Sequence, residues 1–269
     1  MEGVFIQRII IESDDFGITT GVSKGILAAL HRQIVTCTNA QVTSADFSPS
    51  VQLARQEGVH QMGLHLVLDR DQPVSRPALI PTLIKQDGHF WDYATLQKRV
   101  AKLNLQEVRL EFQAQIDRFL ASGLQLTHLT SHHFVSTLSP AIYQIVLALA
   151  EQYRVPVRNE LCQLSTAAQR PFDEISRQFN VTLSSRLIMH QHTEPVLTER
   201  GLTAQLTATT AEQVPVVLTH IGWLSASLRA KSSLTTNRLV EWQTLDGLKK
   251  RGYYQRHNLD CVTYQSLMK

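Results

Sequence analysis

Short β-branched runs alternate with stretches of helical period along the whole chain, and that alternation is what most limits its fold. Phe5 and Ile6, then Ile9-Ile10-Ile11, form the kind of apolar run that fills a parallel strand buried on both faces. The run ends at Ser13-Asp14-Asp15-Phe16-Gly17, where Gly17 breaks the strand and Thr19 or Thr20 caps a helix over about 21–31. A second β-rich stretch covers 34–43, and Ser48-Pro49-Ser50 opens a helix through Ala54 and Glu57. Residues 63–68 are a third strand, with His65 on the face opposite Leu64 and Leu66. Pro73, Pro77 and Pro81 make 69–81 a loop, and Leu96, Val100, Leu103, Val108, Phe112 and Ile116 give 93–122 a helical period.

The alternation continues. Residues 124–129 read as a strand ending in Thr130-Ser131-His132-His133, and Ser139-Pro140 starts another helix. Residues 155–158 form a short strand, 160–210 yield no element order, and 214–218 form a strand ending at Thr219-His220. A helix over 237–250 and a last strand over 259–264 complete the chain. No fixed-period repeat or linker interrupts it, so residues 1–269 read as one domain. Parallel βα units of this kind build either an α/β barrel or a doubly wound sheet.

Composition narrows the partners. With 18% charged and 43% hydrophobic residues the chain is globular, and a formal charge of +3 without a dense Lys/Arg run offers nothing to nucleic acid. Cys37, Cys162 and Cys261 are far apart and include no CxxC pair, which argues against a disulfide framework or a cysteine zinc site and suits a reducing cytoplasm. No basic segment leads into an apolar one at the N-terminus, and no apolar run approaches the length of a membrane span. The chain reads as soluble and cytoplasmic, with no membrane partner.

Asp14-Asp15, His65, His132-His133 and His220 all fall at or just past the C-terminal parts of the expected strands. In a barrel those ends meet on one face, where functional groups collect. One carboxylate and two imidazoles supply a three-ligand site with open positions, as hydrolytic Zn²⁺ requires, and the set also suits Fe²⁺ or other divalent ions. One Asp then holds the cation while the second, still ionised, takes a proton from water, and His220 on another strand acts as general acid. His190-Gln191-His192 is a second imidazole pair in the stretch without element order, and Ser131 lacks the Gly-x-Ser-x-Gly elbow of a nucleophile. Neither a GxGxxG nor a P-loop occurs. His31, His60, His89, His128 and His257 read as surface or packing residues, and Trp91, Trp223 and Trp242 as core packing, with stacking on a sugar ring the alternative.

The ordered set of these motifs resembles the YdjC-like carbohydrate deacetylases, the family that includes chitooligosaccharide deacetylases. The resemblance lies in Asp14-Asp15-Phe16-Gly17, Gly21-Val22-Ser23-Lys24-Gly25-Ile26, Ile34-Val35-Thr36 and Gly63-Leu64-His65-Leu66. It continues in Pro73-Val74, Ile80-Pro81-Thr82-Leu83, Asp87-Gly88-His89-Phe90-Trp91, Thr127-His128-Leu129, Ser131-His132, Pro156-Val157-Arg158, His220 with Gly222, and Arg238 with Glu241. It implies a modified (β/α) barrel of TIM type with its site at the C-terminal strand ends and one divalent metal, Zn²⁺ or Mg²⁺. The implied reaction is hydrolysis of an N-acetyl group from an amino sugar in a short saccharide. By that resemblance Asp15, His65 and His132 are the metal ligands, Asp14 the general base and His220 the general acid. Arg158 matches an arginine that orients Asp14 or the substrate. A homodimer is compatible with such an enzyme, although no stretch marks an interface.

The chain departs from the family pattern at three places. Thr130 stands where the family has Asp, and Phe134 where it has a further His. The late Thr-Glu-Leu-Met-x-His-Pro-Gly motif reads Pro215-Val216-Val217-Leu218-Thr219-His220-Ile221-Gly222. These changes fall on groups that orient ligands and contact substrate. They leave open hydrolysis of a phosphoester or a cyclic amide by the same set, or an inactive relative that binds a saccharide without cleaving it.

Overall fold

The computed structural model describes residues 6–190, 197–210 and 212–268. In chain order the first half runs β1 (Gln7–Phe16), α1 (Thr20–His31), β2 (Cys37–Ala40), α2 (Phe47–Gln56), β3 (Gln61–Leu66), α3 (Tyr93–Arg99), α4 (Leu105–Ala121), β4 (Gln125–Ser131) and α5 (Pro140–Tyr153). The second half runs α6 (Thr166–Ser176), β5 (Leu187–Ile188), α7 (Glu199–Leu206), β6 (Val216–Thr219), α8 (Ala226–Lys231), α9 (Thr236–Lys250), α10 (Tyr253–Arg256) and β7 (Leu259–Val262).

Every strand pair is parallel, in the order β4-β3-β2-β1-β6-β5, with β7 pairing the first half of β1. Pairing also continues past β4. Leu129 bridges Val157, Val157 bridges Leu183, and Ser184 N donates to Val157 O at 3.1 Å. Four residues after Leu183 the chain enters β5 and pairs with β6, so residues 157 and 183–188 link the two ends of the strand order. The expected strand over 155–158 is thus a single bridging position, and the stretch without element order supplies α6, β5 and α7.

β1 is the centre of this arrangement because both its faces are covered. Ile9 and Ile11 pack outward with Leu202, Leu245 and Tyr253, while Ile10 packs with Val216, Leu218 and Tyr264. Strand side chains alternate, so Glu12 and Asp14 follow Ile10 onto the same face. A polar run on that face is tolerated only where each group finds a partner.

Local signals explain the helices. Thr19 accepts from Val22 N at 3.1 Å and starts α1, and Ser139 caps α5 ahead of Pro140. The helical period over 93–122 is broken once, because Leu103 turns to extended backbone and Asn104 caps a new helix, α4. On α4, Glu107, Glu111 and Gln115 recur every fourth residue and are buried. Glu111 accepts from Val74 N and Ser75 N, Glu107 from Thr82 N, and Gln115 bonds both backbone groups of Val67. That stripe pins the proline-containing loop that leaves β3 toward the strand ends. Gly63 serves a different close approach: a Cβ there would lie 2.3 Å from Nε2 of His128.

Candidate functional site

Adjacent residues on a regular strand point to opposite faces, so Asp14 and Asp15 can share a site only if the pleat is broken. It is broken there. The β1–β2 register shifts between Ser13 and Phe16, and Asp15 has φ 78°, a left-handed backbone that Asp tolerates better than most residues. Both carboxylates therefore line one cavity of about 180 Å³, together with His65, His132 and His220.

Each carboxylate has its own holders. Asp14 accepts from Asn39 Nδ2 at 2.6 Å and from Arg158 through a two-pronged contact, Nη1 at 2.6 Å and Nη2 at 3.1 Å. Asp15 accepts from Gln41 and from Arg238 Nη2, the latter at 2.5 Å. Burial opposes charge on Asp15, but Arg238, His220 and His132 outweigh it and hold the carboxyl well below its usual range. It is an anion at any physiological pH.

The imidazoles are held in complementary fashion. His65 Nδ1 lies 2.7 Å from Thr130 Oγ1, and His132 Nδ1 lies 2.7 Å from Asp69 Oδ1. Burial pushes His65 down to about 3 against the pull of Asp14, and it lowers His132 despite the bond to Asp69. Both rings are thus neutral, with Nδ1 engaged. The Nε2 of His65 lies 3.6 Å from Asp14 Oδ2, and the two rings meet edge-on with centroids 5.7 Å apart. His220 stands one residue past β6, where its backbone N–H donates to Glu241 at 2.6 Å and Ile221 N donates to Ser13 Oγ at 2.9 Å. Burial lowers its pKa too, with Asp15, Asp14 and Glu241 opposing.

Arg158 sits beneath the cavity. Besides Asp14 it bonds Glu12 at 2.9 Å and Glu160 at 2.8 Å, so one buried guanidinium serves three buried carboxyl groups. Glu12 also takes bonds from Asn39 at 3.0 Å, Tyr264 at 3.1 Å and His128, whose ring stacks on Tyr264 at 3.8 Å. Burial works against its charge, but His128 and Arg158 prevail and its pKa falls well below the usual range. Glu160 goes the other way, because burial outweighs Arg158 and the hydroxyls of Ser131 and Ser136. Ser131 is tied to that carboxyl, with no imidazole as base. His128, expected to be a packing residue, is fully buried and bound into the same network.

The donor chemistry of Asp15, His65 and His132 fits a divalent cation. An ionised carboxylate and two neutral imidazoles face one cavity, and each ring has its Nδ1 fixed by a partner, the pattern that leaves Nε2 for a metal. Two other tight groups of donor atoms occur among the described residues, Glu12–Cys37–His128 and Asp69–His132–His133. The first of these suits a metal poorly, since Glu12 and His128 bond each other and burial pushes the Cys37 thiol up. The second shares His132 with the cavity. In the pair His190-Gln191-His192, Gln191 and His192 lie outside the described residues.

Several residues of the site had weak signals in the sequence. Glu12 stands two positions before Asp14, and period two alone puts both on one face. Asn39 and Gln41 alternate with small residues in a buried strand region, a pattern with no purpose unless polar partners face it. Asp69 and Arg70, in the loop after β3, had no local signal at all.

A parallel α/β sheet that brings paired carboxylates and strand-end imidazoles to one cavity defines the class of protein. The chain belongs to the YdjC-like protein family, whose model matches residues 8–256. It is 31% identical over 261 residues to a carbohydrate deacetylase of Brevibacillus brevis, covering 97% of this chain and 100% of that one. A carbohydrate deacetylase of Enterococcus faecalis is 28% identical over 97% of this chain and 98% of its own length. Among solved structures, a protein of Enterococcus faecalis described as a candidate cellobiose-phosphate cleavage protein superposes with a TM-score of 0.87 at 26% identity, covering 97% of this chain and 99% of that one.

Proposed function

We propose that this protein is a metal-dependent carbohydrate deacetylase that hydrolyses an N-acetyl group from an amino sugar in a short saccharide. The observation that carries the reading is the meeting of Asp14, Asp15, His65, His132 and His220 in one cavity of a chain from this family. The curated relatives named above support the deacetylase chemistry, since they match almost the whole chain. The linked strand order supports a modified (β/α) barrel with its site at the C-terminal strand ends. Cysteine usage supports the reducing cytoplasm as its location.

In this reading Asp15, His65 and His132 hold one divalent cation, Zn²⁺ or Mg²⁺. When bound, such an ion polarises the acetyl carbonyl and acidifies water at neutral pH. The chain's own residues then divide the proton work. Asp14 accepts the proton of the attacking water, its carboxylate aimed by the fork of Arg158 and by Asn39. His220, one residue past β6 and across the cavity, delivers a proton to the departing nitrogen; burial lowers its pKa, and the charges of Asp15, Asp14 and Glu241 oppose that shift. Phe134, Met189 and Leu234 give the cavity an apolar side suited to a sugar face or an acetyl methyl.

Acetate release from a panel of N-acetylated mono- to tetrasaccharides, followed with a coupled assay, tests the reading. Acetate release that disappears in Asp14→Asn supports it. Phosphate release from phosphorylated sugars without acetate release would refute it.

A further inference from the structure

One carboxylate beside the cavity is shared by two consecutive histidines. Asp69 Oδ1 lies 2.7 Å from His132 Nδ1, and Asp69 Oδ2 lies 2.5 Å from His133 Nδ1. The Asp69 side chain is fully buried, His132 is buried, and His133 is half exposed and lines the cavity. Neighbouring side chains at a strand end ordinarily diverge. Here they are brought together by left-handed backbone at His133, φ 48°, and at Phe134, φ 57°, two successive residues without glycine. Such backbone is unfavourable for residues with a side chain and persists where surrounding contacts over-determine it. What it achieves is visible in the rings, which lie 3.8 Å apart at 40°, each with Nδ1 on a different oxygen of the same carboxylate.

We infer that Asp69 is a positioning residue of this site, a single carboxylate that fixes the proton on Nδ1 of both rings, and that His133 thereby presents Nε2 to the saccharide as a hydrogen-bond acceptor. A carboxylate that accepts from both rings leaves each of them one further nitrogen on the opposite side. For His132 that nitrogen serves the proposed metal; for His133, half exposed and lining the cavity, a sugar hydroxyl is the matching donor. Asp69 thus supplies to two imidazoles the orientation that Thr130 gives to His65 alone. The inference rests on the proposed deacetylase reading for the ligand of His133, while the arrangement of protons does not depend on it.

The test separates the two. A neutral histidine side chain in water prefers the proton on Nε2, so the tautomer reports the clamp directly. Long-range ¹H–¹⁵N spectra of the full, metal-free chain labelled in histidine, assigned with His132→Ala and His133→Ala, should show the proton on Nδ1 of both rings. In Asp69→Asn one side-chain oxygen can accept from only one ring, so one of the two should switch to Nε2–H. Finding both rings as Nε2–H in the wild-type chain would overturn the clamp whether or not the protein is a deacetylase. Asp69→Asn should also weaken metal binding by about 10–100-fold, read by calorimetric titration of Zn²⁺ into the metal-free chain. His133→Ala should leave that affinity unchanged and raise KM about tenfold with kcat nearly constant, the mark of a lost uniform substrate contact. A fall in kcat with unchanged KM would overturn the role given to His133. Thermal melts of both variants identify loss of fold; if Asp69→Asn fails to fold, the wild-type spectra alone decide.

Discussion

Arg158 is the most exposing place to perturb this protein, because one buried side chain joins the fold to the site. Its guanidinium donates five hydrogen bonds, to Glu12, to both oxygens of Asp14, and twice to Glu160. All four residues are buried, so bulk water does not replace the bonds lost at Glu12 and Glu160. In Arg158→Lys the charge stays, but an ammonium has three donors, so at least two charge-assisted bonds disappear. At about 1.5 kcal/mol each, the lower figure for bonds to charged groups, the loss is about 3 kcal/mol. Arg158→Met removes the cation altogether and leaves three buried carboxyl groups without the guanidinium they share, a change of about 3–5 kcal/mol. Glu160 softens that blow because burial already raises its pKa, so adding Glu160→Gln should recover part of the loss. Urea denaturation measures all three variants against the wild type, with the midpoint shift read at constant m. Activity provides a second scale: the forked contact aims Asp14, and its loss in a folded Arg158→Lys should lower kcat by about 10²-fold. If Arg158→Met lay within about 1 kcal/mol of the wild type, below the range for a broken buried pair, the ionic floor would be solvated and the reasoning wrong.

Further outcomes follow from the same contacts. Asp14→Asn should abolish turnover while leaving Zn²⁺ binding within a few-fold by calorimetry, and full activity in that variant would remove Asp14 as the base. His65→Ala should instead lose the metal, measured as zinc content after dialysis. The metal-free protein should lose stability as pH falls: the unfolded chain protonates His65, His132 and His220 below about pH 6.5, while burial keeps the folded pKa values lower, near 3 for His65. Because the unfolded state then binds more protons, each histidine removes up to about 1.4 kcal/mol per pH unit, and His65→Gln should flatten the curve of urea midpoint against pH between about 6.5 and 3. Gly63→Ala places a methyl 2.3 Å from His128 Nε2 and should cost about 1–3 kcal/mol in the same urea assay, unless β3 shifts away from Glu12 and His128.

What the sequence made legible is what period and punctuation encode. The apolar run before Asp14, the cap at Thr19, Ser139-Pro140 and the strand-end histidines each carry a local cause, and the elements they mark are present. The site residues that local pattern placed at strand ends do reach one cavity. What stayed hidden depends on approach in three dimensions. No pattern in Asp69-Arg70-Asp71 marks the first aspartate as the partner of two histidines more than sixty positions away. That pairing exists because the buried polar stripe of α4 fixes the loop at Val67, Val74 and Thr82 while the left-handed turn at His133 and Phe134 folds the rings toward it. The departures from the family pattern acquire a physical sense in the same terms. Thr130 offers His65 a hydroxyl where the family has a carboxylate, and a charge retained there would add to Glu12, Asp14, Asp15 and Glu160 in a space served by Arg158 and Arg238. Asp69 is a separate orienting carboxylate, set against His132 and His133 and away from that crowded floor, while His65 keeps only the hydroxyl of Thr130. A Thr130→Asp variant puts that argument at risk. It should bind Zn²⁺ no more tightly than the wild type and should lose stability, and a chain that gained on both measures would show that the floor had room for the charge.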